Sequence, residues 1–369
     1  MLPRFTQIAR DGAARTGLFT TPHGTFHTPA FMPVGTQASV KGLDCERLRE
    51  IGAEIILINT YHLWIRPGSE IVHGLGGIHR FCAWLGPILS DSGGFQVYSL
   101  KNMRRLAEEG VEFKSYLDGR KLLLTPEKSI SIQEELGVDI AMVLDECPAA
   151  GLSYNEVARS LELTLRWARR SLAARCREDM AVFGITQGGV FPDLRARAAA
   201  QLGEMGFDGM AIGGVSVGEA KEKVHEVLSY HVAQLPEGKI RYLMGVGTPE
   251  DIVFAVRQGV DLFDCVMPTR AGRCGRAYVR GDEPYLNLRN AKYQGDPRPL
   301  DESCRCLACR NYSRAYISHL FRAHEMLGPQ LLSLHNLTHY LELMREIRRA
   351  ISEGRFESFY AAERRRWQN

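Results

Sequence analysis

The 369-residue chain carries 46 Lys/Arg against 43 Asp/Glu, for a net charge of +3. That length suits two average domains or one large barrel with an appendage, and the overall charge argues neither for nor against a nucleic-acid partner. No apolar run approaches about 18 residues and Met1–Gln7 has no apolar leader core, which excludes a membrane span and a secretory signal; nine scattered cysteines exclude a disulfide framework, so a cytoplasmic protein without a membrane partner is expected.

Short apolar runs ending in polar or glycine-rich turns recur at Ala30–Val34, Glu54–Asn59, Pro87–Ser90, Asp139–Leu144, Ala181–Thr186, Gly209–Ile212, Arg241–Met244 and Asp261–Phe263. Between them lie segments with helical spacing at Asn155–Ala174, Asp193–Glu204, Glu219–Ala233 and Pro249–Gln258, the last opened by Thr248 as N-cap with Pro249 at the first helical position. Eight strand–helix units predict an α/β fold, a closed (β/α)8 TIM barrel, with an open doubly wound sheet as the competitor. Val111–Leu117, Asp118-Gly119 and Arg120–Leu124 read as a β-hairpin with a two-residue turn, inserted after the third strand. Past Asp264 the composition shifts to an irregular loop at Arg289–Leu300 and then to helices. The expected division is a catalytic barrel over residues 1–280, a zinc-binding subdomain over 281–345, and a C-terminal helix completing the barrel over 346–369.

In a barrel, catalytic groups sit where strands end. Those ends carry Ser90-Asp91-Ser92-Gly93-Gly94-Phe95-Gln96, Asp145-Glu146-Cys147-Pro148, Thr186-Gln187-Gly188-Gly189, Gly213-Gly214, Met244-Gly245 and Asp264. Three carboxylates, an amide and several glycines suit recognition of a flat heterocycle by its edge, with displacement at carbon by a nucleophile and a proton shuttle. Asp264 is followed by Arg270, Arg273, Arg276 and Arg280. From Cys265 to Arg322 there are eleven Lys/Arg and five Asp/Glu, a basic region suited to a phosphate backbone. Gly214-Val215-Ser216-Val217-Gly218 also matches the nucleophile elbow of serine hydrolases, with Asp264 and His335 available as partners. Cys304, Cys306 and Cys309 can face one metal; finger-like spacing nominates His324 or His319 as fourth ligand, with His335 farther along.

Taken together, these motifs and Tyr242–Gly247 and Phe263–Arg270 resemble the queuine tRNA-ribosyltransferase family, the tRNA-guanine transglycosylases, over nearly the whole chain. The resemblance implies a (β/α)8 barrel with one structural zinc per subunit, held by Cys304, Cys306, Cys309 and His335. It implies exchange of guanine at wobble position 34 of GUN-anticodon tRNAs (Asp, Asn, His, Tyr) for 7-aminomethyl-7-deazaguanine, in queuosine biosynthesis. Asp264 is then the nucleophile and Asp91 the general acid/base of a covalent double displacement. Asp145, Gln187 and Gly214 recognise the base, Phe95 and Met244 cover its faces, and Arg270, Arg273 and Arg276 hold the anticodon loop. Cys147 and Val217 are similar to the bacterial type, Val217 narrowing the pocket against the bulkier queuine, and the family's homodimer is expected. Val215 and Gly189 depart from the usual Leu and Ser. The chain ends before the extra RNA-binding domains of archaeal relatives. A non-catalytic tRNA-binding paralogue is the alternative, and against it both Asp91 and Asp264 are present.

Overall fold

The computed structural model describes residues 4–99, 104–215, 218–281 and 283–368. Its centre is one parallel sheet, ordered Ala30–Met32, Leu262–Asp264, Ile240–Leu243, Gly209–Ile212, Ala181–Thr186, Ile140–Met142, Ile88–Ser90, Ile56–Ile58 and Val34–Gly35. The first and last pieces are a single chain segment broken at Pro33, which has no N–H for a ladder. The sheet therefore returns on itself as a barrel of eight strands, one at each expected run. An open sheet would leave two free edges. Here Leu262 pairs with Ala30 and Leu57 with Val34, so the doubly wound alternative is excluded.

Strands four to seven are buried along their whole length, as parallel strands covered on both faces must be. The helices Tyr154–Ala173, Pro192–Glu204, Lys221–His231 and Pro249–Arg257 lie where helical spacing predicts them. The Thr248 hydroxyl accepts from the Asp251 N–H at 3.2 Å, which gives a free helix N–H a partner.

Sequence reasoning missed a three-stranded antiparallel sheet, Phe5–Asp11, Ala14–Thr21 and Gly24–Thr28, at the end of the barrel where its strands begin. Its middle strand buries Ala14-Arg15-Thr16-Gly17 in succession, so no polar–apolar alternation betrays it. Arg15 holds Asp261, the residue before strand eight, through two bonds of 2.9 and 2.6 Å, and Phe19 packs edge-on against Phe183 of strand five. The inserted hairpin forms, but its turn is wider than predicted. The strands are Val111–Lys114 and Lys121–Leu124, Ser115 donates its N–H to Arg120 O, and Gly119 takes the left-handed conformation (φ 72°) inside a four-residue loop. A third strand, Arg104–Leu106, completes that sheet.

Beyond strand eight, the helix Met267–Arg273 leads into a second apolar core that includes Ala277, Leu286, Leu300, Ile317, Phe321 and Leu332. The helix Leu327–Ser352 serves both cores, Leu331 and Leu332 in the second and Leu337, Tyr340, Met344 and Ile347 in the barrel's. Gly272 makes the close approach possible, because a Cβ there would lie 2.7 Å from Ser333 N. Asn336 stitches the join, donating to Pro268 O and Arg276 O and accepting from Tyr278 N–H, each at 2.9 Å. Among the described residues, no helix is long and apolar enough to cross a membrane.

Arg15 and Asp261 are almost fully buried, and removing one partner of such a pair leaves an uncompensated charge. Arg15→Leu is expected to cost about 3–5 kcal/mol in urea unfolding; a loss below about 1 kcal/mol would mean that the sheet is held by its apolar contacts instead.

Candidate active site and metal centre

The carboxyl ends of the strands enclose a cavity of about 810 Å³, within the range of small-ligand sites. Asp91, Phe95, Asp145, Cys147, Gln187, Gly214, Met244, Asp264 and Arg270 all line it. Eight strands that end at one rim gather residues far apart in sequence. Val217 and Ser216 lie outside the described residues. Each carboxylate shows some surface to the cavity and is otherwise enclosed by protein, so each must find hydrogen-bond donors.

Asp91 has four. Thr60 N–H (2.9 Å) and Gly93 N–H (3.1 Å) reach Oδ1, while the Asn59 amide and the Gln96 amide (2.8 Å) reach Oδ2. Burial pushes its pKa up to about 6 against the pull of those donors. A carboxyl that titrates near neutrality can both give and take a proton.

Asp264 is held differently. Tyr242 OH (2.6 Å) and Gly245 N–H (2.8 Å) both donate to Oδ1. Among the described residues nothing donates to Oδ2, which keeps its lone pairs for an electrophile. Burial raises the pKa, and the two donors oppose it.

Asp145 accepts from the Gln187 amide at 2.7 Å, and burial pushes its pKa up to about 6. Gln187 Oε1 is buried with no partner, so beside the carboxylate stands an unsatisfied acceptor. Gly214, at φ 62°, lies so close that a Cβ would overlap Gln187 Oε1. Burial drives the Cys147 thiol far up, leaving it a neutral wall. Phe95 is half-exposed on the helix Gly94–Ser99. Asn59, Thr60 and Tyr242 received no role from sequence; the rule that strand ends carry the site could have found the first two, and strand alternation the third.

Arg270 is exposed at the cavity rim, on the helix that follows strand eight. Arg273 Nη1 is buried without a partner, and the exposed Arg276 lies over the Tyr285 ring at 4.3 Å. Only Arg270 of the three lines the cavity itself.

At the second core, Cys304, Cys306, Cys309 and His335 bring their ligand atoms within 4.8 Å of one another. His335 Nδ1 stands 3.7, 3.6 and 3.3 Å from the three sulfurs. A tetrahedral zinc with ordinary bond lengths needs about 3.6 Å there. His335 Nε2 meets Tyr278 O at 2.6 Å, which assigns the proton to Nε2 and turns the Nδ1 lone pair to the thiols. The donor set fits a structural zinc. His319 and His324 do not join it, because the metal's fourth ligand comes from the next helix. With both its nitrogens engaged, His335 cannot serve a Ser216–Asp264 triad, and the hydrolase reading fails on that geometry.

A second group, His23, His79 and Asp139, lies at the opposite end of the barrel. Its rings are stacked 3.5 Å apart at 16°, so their planes do not converge on one ion. Each ring instead meets a different oxygen of Asp139, tying the N-terminal sheet through His23 and the helix Gly77–Cys82 through His79 to the start of strand four.

Enclosed carboxylates at the mouth of a parallel barrel, one with a free oxygen and two pushed up to about 6 by burial, define a barrel enzyme equipped for displacement at carbon. The family model described as queuine tRNA-ribosyltransferase matches residues 11–369. Queuine tRNA-ribosyltransferases of Thioalkalivibrio sulfidiphilus and Cereibacter sphaeroides are 52% and 54% identical to it over 97% of this chain, covering 96% and 95% of their own lengths. That of Thermus thermophilus is 54% identical over 96% of this chain and 92% of its own. The chain belongs to the queuine tRNA-ribosyltransferase family, the tRNA-guanine transglycosylases.

Elemental analysis is expected to find about one zinc per chain in the wild type and none in Cys306→Ala, which should also melt well below it. Stoichiometric zinc in the variant would overturn the ligand set.

Proposed function

We propose that the protein exchanges guanine at wobble position 34 of GUN-anticodon tRNAs for 7-aminomethyl-7-deazaguanine, by covalent double displacement. The observation that carries this reading is the arrangement of Asp264, one oxygen held by two donors and the other free, on the same cavity as Asp91 and the Asp145–Gln187 pair.

Asp264 Oδ2 attacks C1′ of the target ribose, and the C1′–N9 bond breaks with its electron pair passing to the departing guanine. Protonated Asp91 supplies a proton to that base and becomes a carboxylate. The incoming base surrenders its N9 proton to Asp91, its N9 attacks C1′, and the ester bond to Asp264 breaks. Two inversions retain configuration. The pKa of about 6 at Asp91 suits both halves of the shuttle.

Ionised Asp145 accepts N–H groups of the base edge, with Gln187 and the Gly214 backbone completing recognition and Phe95 and Met244 covering the ring faces. Cys147 and Val217 form the wall that favours the small aminomethyl substituent. The target base must leave the anticodon stack, which a splayed loop permits at lower cost than a duplex. Arg270, Arg273 and Arg276 hold the neighbouring nucleotides, in a homodimer whose second subunit helps seat the tRNA. Zinc, held by the three cysteines and His335, fixes the segment that carries these arginines and takes no part in the chemistry.

Asp264→Asn is expected to abolish guanine exchange into unmodified GUN-anticodon tRNA, together with any denaturation-resistant enzyme–tRNA adduct. An active variant would remove Asp264 as nucleophile. A folded, zinc-loaded wild type without exchange would sink the whole reading.

The pH dependence has a definite sign. Below a pKa of about 6, Asp145 gains a proton and loses acceptor capacity, so guanine affinity measured by calorimetry should fall as pH drops through that value. Asp145→Asn should bind guanine weakly with a flat profile over the same range. An unchanged slope in the variant would place the titration elsewhere.

A further inference from the structure

One buried cation in the barrel has no part in the reaction outlined above. Arg195, on the helix Pro192–Glu204, is completely buried. Its Nε donates to Gly189 O at 2.8 Å, Nη1 to Thr186 O at 3.1 Å and Nη2 to Gly214 O at 3.2 Å. Among the described residues, no carboxylate hydrogen-bonds to it. A guanidinium taken out of water with no carboxylate bonded to it, and only the charge of Glu219 acting on it, is expensive to keep, and a side chain needed only to fill space would be apolar.

The three carbonyls belong to the two loops that carry the base-recognising groups. Thr186 ends strand five and Gly189 lies just past Gln187, whereas Gly214 follows strand six. Strands five and six are paired up to Thr186 and Ile212, and just beyond, Gly213 N–H still donates to Thr186 O at 3.0 Å. The planar fork bridges the two loops, one arm on each, in a geometry that a point-charge ammonium does not reproduce. The loops it joins are in tight contact, for Gln187 Oε1 occupies the space where a side chain on Gly214 would begin. The Gln187–Gly188–Gly189 turn is itself folded down onto the helix, since a Cβ on Gly188 would sit 2.9 Å from Arg195 N.

We infer that Arg195 is a positioning residue for base recognition, whose guanidinium locks the Gly214 peptide and the Gln187 loop into the single arrangement that accepts a purine-like edge. In a trans peptide the N–H points opposite to the C=O. Holding Gly214 O therefore also fixes the direction of the Val215 N–H. Burial lowers the Arg195 pKa only to about 10, so the latch is charged throughout the neutral range. The inference rests on the base-exchange reading and assigns the order of its base pocket to one side chain outside it.

The test compares full-length wild type with Arg195→Lys, Arg195→Gln and Arg241→Lys. Arg241 is the matched control, a buried guanidinium bonded to the carbonyls of Leu235 and Gly259 at the other end of the barrel. Guanine affinity is measured by calorimetry, tRNA affinity by filter binding, and exchange by its separate kcat and base KM. Arg195→Lys is expected to weaken guanine binding about tenfold, the loss of one or two charge-assisted hydrogen bonds. It should raise the base KM in proportion, with kcat at saturating base and tRNA affinity within about twofold of wild type. Arg195→Gln should weaken guanine at least as much, and Arg241→Lys should lower thermal stability without moving the base KM. Guanine affinity within twofold of wild type in both Arg195 variants would overturn the inference, as would a parallel loss of base and tRNA binding. A wild type that binds no guanine would overturn the base-exchange reading as well, which separates the two failures.

Discussion

Ionised carboxyl groups withdrawn from water must be matched by donors, and the rim of this barrel is built around that requirement. Asp91 draws in the end of strand two through Asn59 and Thr60, and its own loop through Gly93 and Gln96. Asp264 draws in strand seven through Tyr242 and Gly245, and Asp145 draws in strand five through Gln187. These bonds run between different strand ends, so the carboxylates organise the rim as well as occupying it. Desolvation and donors act in opposite directions on each group, leaving Asp91 and Asp145 near pH 6, where a small change in surroundings decides the protonation state.

The same accounting separates the roles open to the three acids. Four donors spread over both oxygens of Asp91 hold it in place. Two donors on one oxygen of Asp264 orient the carboxylate and leave the other oxygen available. At Asp145 the partner is an amide whose own oxygen is unsatisfied, an arrangement completed by a ligand with several polar edge atoms. Three copies of similar chemistry differ in how many donors they meet, on which oxygen, and where those donors come from.

The helix Leu327–Ser352 links this rim to the group of three cysteines and His335. It carries His335 to the cysteines and, one residue later, Asn336 to the backbone on either side of the arginine helix. Tyr340, a turn further on, reaches Gly247 O in the loop after strand seven. Disturbance at that group therefore has a short covalent and hydrogen-bonded route to the segment Met267–Arg273, and Gly272 leaves that helix no room to shift closer.

Much of this was legible in the chain alone. Eight apolar runs with intervening helical periods specified strands and helices, because burial on both faces of a parallel strand demands uninterrupted Val, Ile, Leu and Phe. The strand-end motifs named the three carboxylates, the amide and the glycines that line the cavity, since the barrel rule turns a linear order into a common rim. Cysteine spacing announced a thiol cluster that could hold a metal. Other features needed the folded chain. Closure at Pro33 depends on pairing between residues more than 200 positions apart. The N-terminal sheet buries an arginine within a run of four buried residues and so hides its period, and the hairpin's turn length is set by the Ser115–Arg120 register. The choice of His335 over His319 and His324 is a matter of which helix packs on the second core. Donor sets, the free oxygen of Asp264 and the three-carbonyl grip of Arg195 belong to tertiary structure alone, because local sequence sets periodicity and chemistry, whereas hydrogen-bond partnership and desolvation arise only when distant segments exclude water together.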